Sequence, residues 1–538
     1  MKGKTFTLIS FIILIALNVC AQPGSLDPTF SKDGRRVTVV DSLITGEALA
    51  IQKDGKIVVA GTAFNPPSSN SAQLIIVRYK PDGGYDRSFG DSGIVITELK
   101  AAPRSVIIQP DGKIVVGANF SKKIAKKTYR NFFAVLRYHP NGIIDSTFGE
   151  NGLVLTDFQQ KDGGTLTSLI LQPDGKFVTG GYVFLDSAGY YWKSAFALAR
   201  FTSDGKLDSS FGNNGKVITQ VLTNFNFYLT ERCNALAVQD DGKIIAGGIS
   251  NSTFSSVALV RYYSNGSVDS SFGNSGRVRL NAYGWAEGND VLLKRNGKIV
   301  VGGLVSPIGN NSFALFQFKS NGTPDSNFAV NGVDSFHILI AQHNSTHIAL
   351  QHDGKIVIAG TANKPYDNNS VIVLARVHGN GKLDSRFGTH GEVTTEYENF
   401  HATAQAVALQ ADGKIVTAGT IWRYIEHPKK FAEKIAVERY NVREMHHDFV
   451  NNASGNKLKD LFSVPFVSPN PTKDILHLQN LSSSAKTISV VDVNGKVLQQ
   501  TVTANNSYSF NIKHFSAGIY FVRIDDDKKS SVLKFVKE

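Results

Sequence analysis

Cysteine is almost absent from these 538 residues; there are two, Cys20 and Cys233. Cys20 lies in an N-terminal leader, so Cys233 remains alone, no intrachain disulfide can staple the fold, and stability has to come from packing. Helix-forming stretches are hard to find. Beyond the leader no apolar run approaches the roughly 18 residues that a membrane helix needs, so no transmembrane segment is expected. Charged residues make up only 19% of the chain and neither sign forms blocks. A nucleophile elbow, a phosphate loop and a dinucleotide fingerprint are all missing from any supporting context. No stretch carries the spaced carboxylates of a calcium loop. On this footing no cofactor and no catalytic residue is expected, and the chain reads as a non-enzyme.

What is abundant is glycine, 49 residues, together with Asn and Asp. That composition implies frequent tight turns and therefore a β-rich chain. Lys2 and Lys4, an apolar run from Phe6 to Val19 and the small-residue site Val19-Cys20-Ala21 read as a secretory signal at 1–21, cleaved between Ala21 and Gln22. A lipoprotein reading, with Cys20 acylated, fits the preceding Val19 poorly. Loss of Lys2 and Lys4 lowers the formal charge from +12 to +10. The scattered excess serves solubility; it would favour anionic glycans, and an exported protein has no call for nucleic acid.

Self-similarity decides the fold. The phrase Leu26-Asp27-Pro28-Thr29-Phe30 recurs, with its Phe at 89, 148, 211, 272, 328 and 387 and, in degenerate form, at 449; the spacings run from 56 to 63 residues. Eight markers enclose seven units. In each, a short alternating run such as Ile94–Thr97 follows the marker. Two apolar runs come next, joined at Asp54-Gly55 and read as a type I′ hairpin. The turn glycines are Gly55, Gly112, Gly175, Gly242, Gly297, Gly354 and Gly413. A further run ending in Arg leads back to the next marker. Each unit is thus a four-stranded meander, apolar on both faces, and seven such units bury those faces only by stacking into a closed ring. The last marker has lost its Asp, which leaves Arg439 to find Asp27 of the first and close the ring. Departures at Lys294, Asn296 and Gln317 read as drift.

These phrases resemble the delta-60 repeat proteins of bacteria, over nearly everything from Leu26 to Phe449. The resemblance implies a propeller-like architecture and no defined activity. After a small polar linker at 451–464, residues 465–538 are again β-patterned, with six or so short strands. Ser468-Pro469-Asn470-Pro471, the Asn494-Gly495-Lys496 hairpin, Ala517-Gly518-Ile519-Tyr520 and the terminal Leu533–Lys537 resemble the type A sorting domain of the type IX secretion system in Bacteroidetes. That resemblance implies contact with the type IX machinery, passage across the outer membrane, and release or surface anchoring.

The expected fold is therefore all-β: a seven-bladed β-propeller of four-stranded blades over 22–450, then a small C-terminal β-sandwich. His337, His343, His347 and His352 are the densest histidine cluster. His343 and His347 would share a face only on a helix, so they read as loop or surface residues, as do His446 and His447. The lysines Lys56, Lys113, Lys176, Lys243, Lys298, Lys355 and Lys414 flank the hairpin turns and are expected to be balanced by neighbouring Asp. The functional expectation is an extracellular binding or scaffold module, a monomer presenting loops to a glycan or surface protein. The alternatives are a hydrolase or lyase with its site in the propeller channel, marked by converging His, Asp, Glu or Arg, and a surface adhesin.

Overall fold

The computed structural model describes residues 22–442, 466–468 and 474–537, with breaks at 65–71, 126–127, 161, 187–192, 224–228, 283, 307–310, 342–345, 365–366, 427–429, 480, 482–485, 494, 506 and 526–529. The leader through Ala21, the degenerate eighth marker, the polar linker and Pro469, Asn470 and Pro471 lie outside the described residues. Every regular element described is a β-strand. The chain divides into two compact units, one reaching His447 and one beginning at Asp448.

The first unit is a ring of seven four-stranded antiparallel meanders. Blade 1 comprises Leu43–Ile51, Ile57–Phe64, Ala72–Tyr79 and Ile94–Thr97, in that order. The first strands of blades 2 to 7 are Ala101–Ile108, Gly164–Leu171, Thr230–Val238, Ala286–Leu293, Thr346–Leu350 and His401–Leu409. Each first strand lies against the next, and that of blade 7 against that of blade 1, so these seven strands surround the central channel. Blades 5 and 6 are additionally continuous, because Val333–Ala341 runs on far enough to pair Ile340 with Asn363.

Two sequence expectations are corrected. The short strand after each marker is the outermost strand of the preceding blade, not the first strand of a new one, as Ile94–Thr97 pairing with Leu74–Val77 shows. Blade 7 accordingly takes its outermost strand, Arg35–Thr38, from the N-terminus, where it pairs with Ile435–Glu438. The hairpin is also not a two-residue type I′ turn. Gly55 has φ +80° while Asp54 is not in the left-handed region, and Gly55 N donates to Gln52 O at 2.9 Å. That is a type I turn closed by a left-handed glycine. Asp54 is held out of the second left-handed position because its Oδ1 accepts from Lys56 N at 3.2 Å.

Burial on both faces follows from the apolar phrases. Ile57–Ala63 in blade 1 and Ser255–Tyr262 in blade 4 are buried throughout. The described marker Phe residues, from Phe30 to Phe387, are wholly buried, each side chain contributing about 1.5–3 kcal/mol. Phe89 sits beneath Gly142 of the next blade, where φ is +91° and a Cβ would come within 2.9 Å of the ring; no other residue meets both demands. Cys233 is wholly buried in the core between blades 3 and 4, and burial pushes its thiol up to about 12.

The second unit has a three-stranded and a four-stranded sheet. Leu476, Leu478 and Phe510 of one face Ile488, Val490, Val522 and Phe535 of the other across one core, a small sandwich. Gly495 (φ +81°) ends the turn before Val497–Thr503, with Lys496 N donating to Asp492 Oδ1 at 3.0 Å. Gly518 and Tyr520 lie on Gly518–Asp525, and the Tyr520 hydroxyl donates to Ser516 O at 2.8 Å.

Candidate functional site

The two ends of the propeller differ in what their charges do. At the hairpin-turn end, six of the seven third strands close on an Arg that donates from Nε to a marker Asp at 2.8–2.9 Å: Arg78 to Asp86, Arg137 to Asp145, Arg200 to Asp208, Arg261 to Asp269, Arg376 to Asp384 and Arg439 to Asp27. Each guanidinium also bonds a carbonyl of the next blade, as Arg137 does to Ser203 O at 2.5 Å, and lies 4.4–5.0 Å from its marker Phe ring. The hairpin lysines reach the same carboxylates, Lys298 to Asp325 at 2.7 Å and Lys414 to Asp27 at 2.8 Å. Burial pushes these carboxyls up, but hydrogen bonds and the Lys and Arg charges outweigh it; Asp27, Asp86, Asp145, Asp208, Asp269 and Asp384 all stay below the usual range. The charges at this end are committed to joining blades.

Blade 5 shows that the departures at Lys294 and Gln317 are not drift. Gln317 replaces the Arg, and its Nε2 donates to Asp325 at 2.7 Å. Lys294, where six blades have Gln, donates from Nζ to Gln317 Oε1 and, at 2.9 Å, to Gly379 O of blade 6, and it lies 5.5 Å from the Phe328 ring. The cation has changed strands and kept two of its three contacts, the next-blade carbonyl and the marker ring, while Gln317 keeps the one to the marker Asp. Lys294→Gln alone is expected to cost about 1–3 kcal/mol by leaving those acceptors unpaired. Adding Gln317→Arg should return the urea midpoint nearly to that of the parent, and a double variant no more stable than the single would refute the exchange.

The inner ring is built differently. In six blades the first strand carries a bulge whose extra residue is polar: Glu47, Arg104, Thr167, Asn234, Asn289 and Gln405. Polar ties cross every blade junction here: Arg104 to Glu47 at 3.0 Å, Ser105 to Leu169 O, Thr167 to Cys233 O, Asn234 to Gly288 O, Ile348 N to Asp290, Ala404 N to Thr361 and Gly46 N to Thr420. Over this shared frame lies a local break in symmetry. The position that is Ala48, Ser105, Ser168, Ala235 and Ala406 elsewhere is Asp290 in blade 5 and His347 in blade 6. Their side chains approach to 4.0 Å and are each about three-tenths exposed. His347 thus belongs to an inner strand, not to a loop. His343 lies outside the described residues.

Asp290 accepts from Val291 N at 2.8 Å and Ile348 N at 2.9 Å, yet burial raises its carboxyl to about 6. Burial lowers the His347 imidazole to about 4, so it is neutral at pH 7. The bulge at Asn289 returns Glu287 to the same face of the strand as Asp290. Burial raises the Glu287 carboxyl, with the Arg232 charge of blade 4 opposing, and raises Glu47 against the pull of Arg104. Asp290, raised to about 6 and 4.0 Å from a neutral imidazole, can take up and release a proton near neutral pH. Scanning for motifs missed all of them; aligning the seven repeats column by column exposes Arg232, Glu287, Asp290 and His347 as residues out of step.

Six segments, 52–89, 109–148, 172–211, 239–272, 294–328 and 351–387, match a domain of unknown function (DUF5122) beta-propeller, and residues 467–538 match a secretion system C-terminal sorting domain. No curated protein matches the chain. Similar solved structures include a protein of unknown function from Dyadobacter fermentans (10% identity, 76% of this chain and 98% of that one, TM-score 0.40), the polysaccharide lyase Uly1 (11%, 74% and 90%, 0.42) and the GH93 α-L-arabinofuranosidase of Fusarium graminearum (9%, 78% and 97%, 0.38). The expectation of a non-enzyme is corrected here. Enzymes stand among these similar structures, and the missing sequence motif excluded nothing, because a propeller site is assembled from separate blades. The sorting domain engages the type IX machinery and directs export to the cell surface or the extracellular space. The chain carries a DUF5122 beta-propeller repeat region and a C-terminal secretion system sorting domain.

Proposed function

We propose that this exported propeller is a glycan-cleaving enzyme, a hydrolase or lyase, working as a monomer with its site in the channel at blades 5 and 6. The observation that carries this reading is the break in symmetry at Glu287, Asp290 and His347 on a ring whose other described residues at those positions, Arg232 of blade 4 apart, are small or neutral. Glu287, whose carboxyl is raised by burial, gives its proton to the departing glycosidic oxygen. The neutral His347 takes a proton, either from the water that attacks the anomeric carbon or from the sugar carbon beside a uronate carboxylate. The first route ends in hydrolysis, the second in an unsaturated sugar. Asp290, fixed by two backbone N–H groups, orients the imidazole, and Arg232 supplies a cation for an acidic sugar.

The test is turnover of a panel of neutral and uronate polysaccharides by the protein as exported, read by new reducing ends and by the ultraviolet absorbance of unsaturated products. Glu287→Gln and His347→Ala should each lower the rate by about 10²–10⁴-fold. The rate should climb as pH rises through about 4, where His347 loses its proton. Undiminished turnover by both variants would refute the channel site.

A further inference from the structure

The second and third strands of blade 7, Ile415–Ile425 and Lys430–Tyr440, run past the length of their counterparts in blade 4, Ile244–Asn251 and Ser255–Tyr262. The cross-strand pairs His401 with Trp422, Trp422 with Glu433 and Tyr424 with Phe431 put all five side chains on one face of this extension. His401 stacks on Trp422 at 3.9 Å and 8°, and Ser370 N donates to its Nδ1 at 3.2 Å, fixing the imidazole. Phe431 follows at 6.3 Å from Trp422, and Tyr424 at 5.2 Å from Phe431. Tyr424 and Phe431 are 49% and 50% exposed. The opposite face is cationic, with Arg423 and Lys434 lying 4.7 and 5.6 Å from the Phe400 ring.

We infer that this aromatic row is a second glycan-binding surface, separate from the channel, which takes a neutral β-linked polysaccharide by stacking its pyranose rings. A pyranose presents a flat face of C–H bonds that covers an exposed aromatic ring, while its hydroxyls need acceptors at the rim. Glu433, opposite Trp422, is such an acceptor, and its negative charge repels uronates. The cations that would attract them are turned to the other face. Rings serving only to stiffen a hairpin need not remain half exposed at its outer part, where aromatic area in water is unfavourable. Export to the cell surface puts the row where extended glycans are found.

The test is calorimetric titration of the exported protein with cellohexaose, xylohexaose, mannohexaose and chitohexaose, alongside Tyr424→Ala, Phe431→Ala, Glu433→Gln and Glu287→Gln. Tyr424→Ala and Phe431→Ala should each weaken binding by about tenfold or more, with unchanged melting because both rings are half exposed. Glu287→Gln should bind as the parent does, so failure of the channel reading leaves this one standing. No binding of any hexaose, or equal binding by both alanine variants, overturns the inference. So does a dimer of the parent that Tyr424→Ala dissolves, since a second copy would then cover the row.

Discussion

Arg439→Ala will lower the stability of the propeller by about 3–5 kcal/mol, the usual consequence of stranding one partner of a buried ion pair. Arg439 is 5% exposed and Asp27 not at all. The guanidinium donates to Asp27 at 2.8 Å and Thr29 Oγ1 at 2.8 Å, and it also bonds Pro81 O of blade 1. One side chain therefore holds the N-terminal segment to blade 7 and blade 7 to blade 1. Arg137→Ala removes the same contacts within blades 2 and 3, but its Asp145 is only eight residues away in the chain. Arg439 and Asp27 are 412 residues apart, and only the closed ring keeps them together. In hydrogen exchange, Arg439→Ala should accordingly expose the amides of Arg35–Thr38, while Arg137→Ala should leave them protected. A urea midpoint equal to the parent's would remove Arg439 from any part in closure.

Glu438→Gln should stabilise the protein by about 3 kcal/mol at pH 8 and hardly at all at pH 4. Glu438 is wholly buried on the third strand of blade 7, at the position that is Val77, Leu136, Ala199, Val260, Phe316 and Ala375 elsewhere. Thr417 Oγ1 donates to it at 2.6 Å and the Tyr397 hydroxyl at 2.7 Å. Burial outweighs those bonds and the Arg35 charge, and raises the carboxyl to about 7. A carboxyl raised on folding binds its proton more tightly in the native state. Its contribution is therefore fully present below the ordinary carboxylate pKa and is lost as pH rises through about 7. The marker aspartates work in the opposite direction: their lowered values stabilise the fold above the ordinary carboxylate range, and that part is lost as pH falls. Together they place the stability maximum on the acid side of neutral. Unfolding midpoints across pH 4 to 8 measure it, and a Glu438→Gln curve parallel to the parent's would disprove the assignment.

Both residues show how far the repeat was legible. Arg439 and Asp27 could be matched on paper because six other units carry the same pair at a fixed interval. Glu438 and Glu231 could not, since a lone Glu in a strand reads like any solvated acid. Glu231 is in fact wholly buried, accepting from Val221 N at 2.7 Å and Leu222 N at 2.8 Å. The turn type was misread because Asp-Gly suits two turns, and the choice between them rests on the backbone of Lys53 and Asp54. Blade limits were misplaced by one strand because a meander has the same period wherever it is cut; the closing strand at Arg35–Thr38 decides the cut.

What the chain's own periodicity determined was a ring of repeated sheets, since apolar faces recurring every sixty residues or so can be buried only against one another; the export domain was legible in its C-terminal motifs. What the tertiary structure alone decided was which residues leave that periodicity together. Glu287 and Asp290 reach a common face through a bulge, His347 arrives from the next blade, and Lys294 and Gln317 trade roles across two strands. Distance in the chain carries no record of such meetings, because each depends on the angle at which one blade is packed on the next.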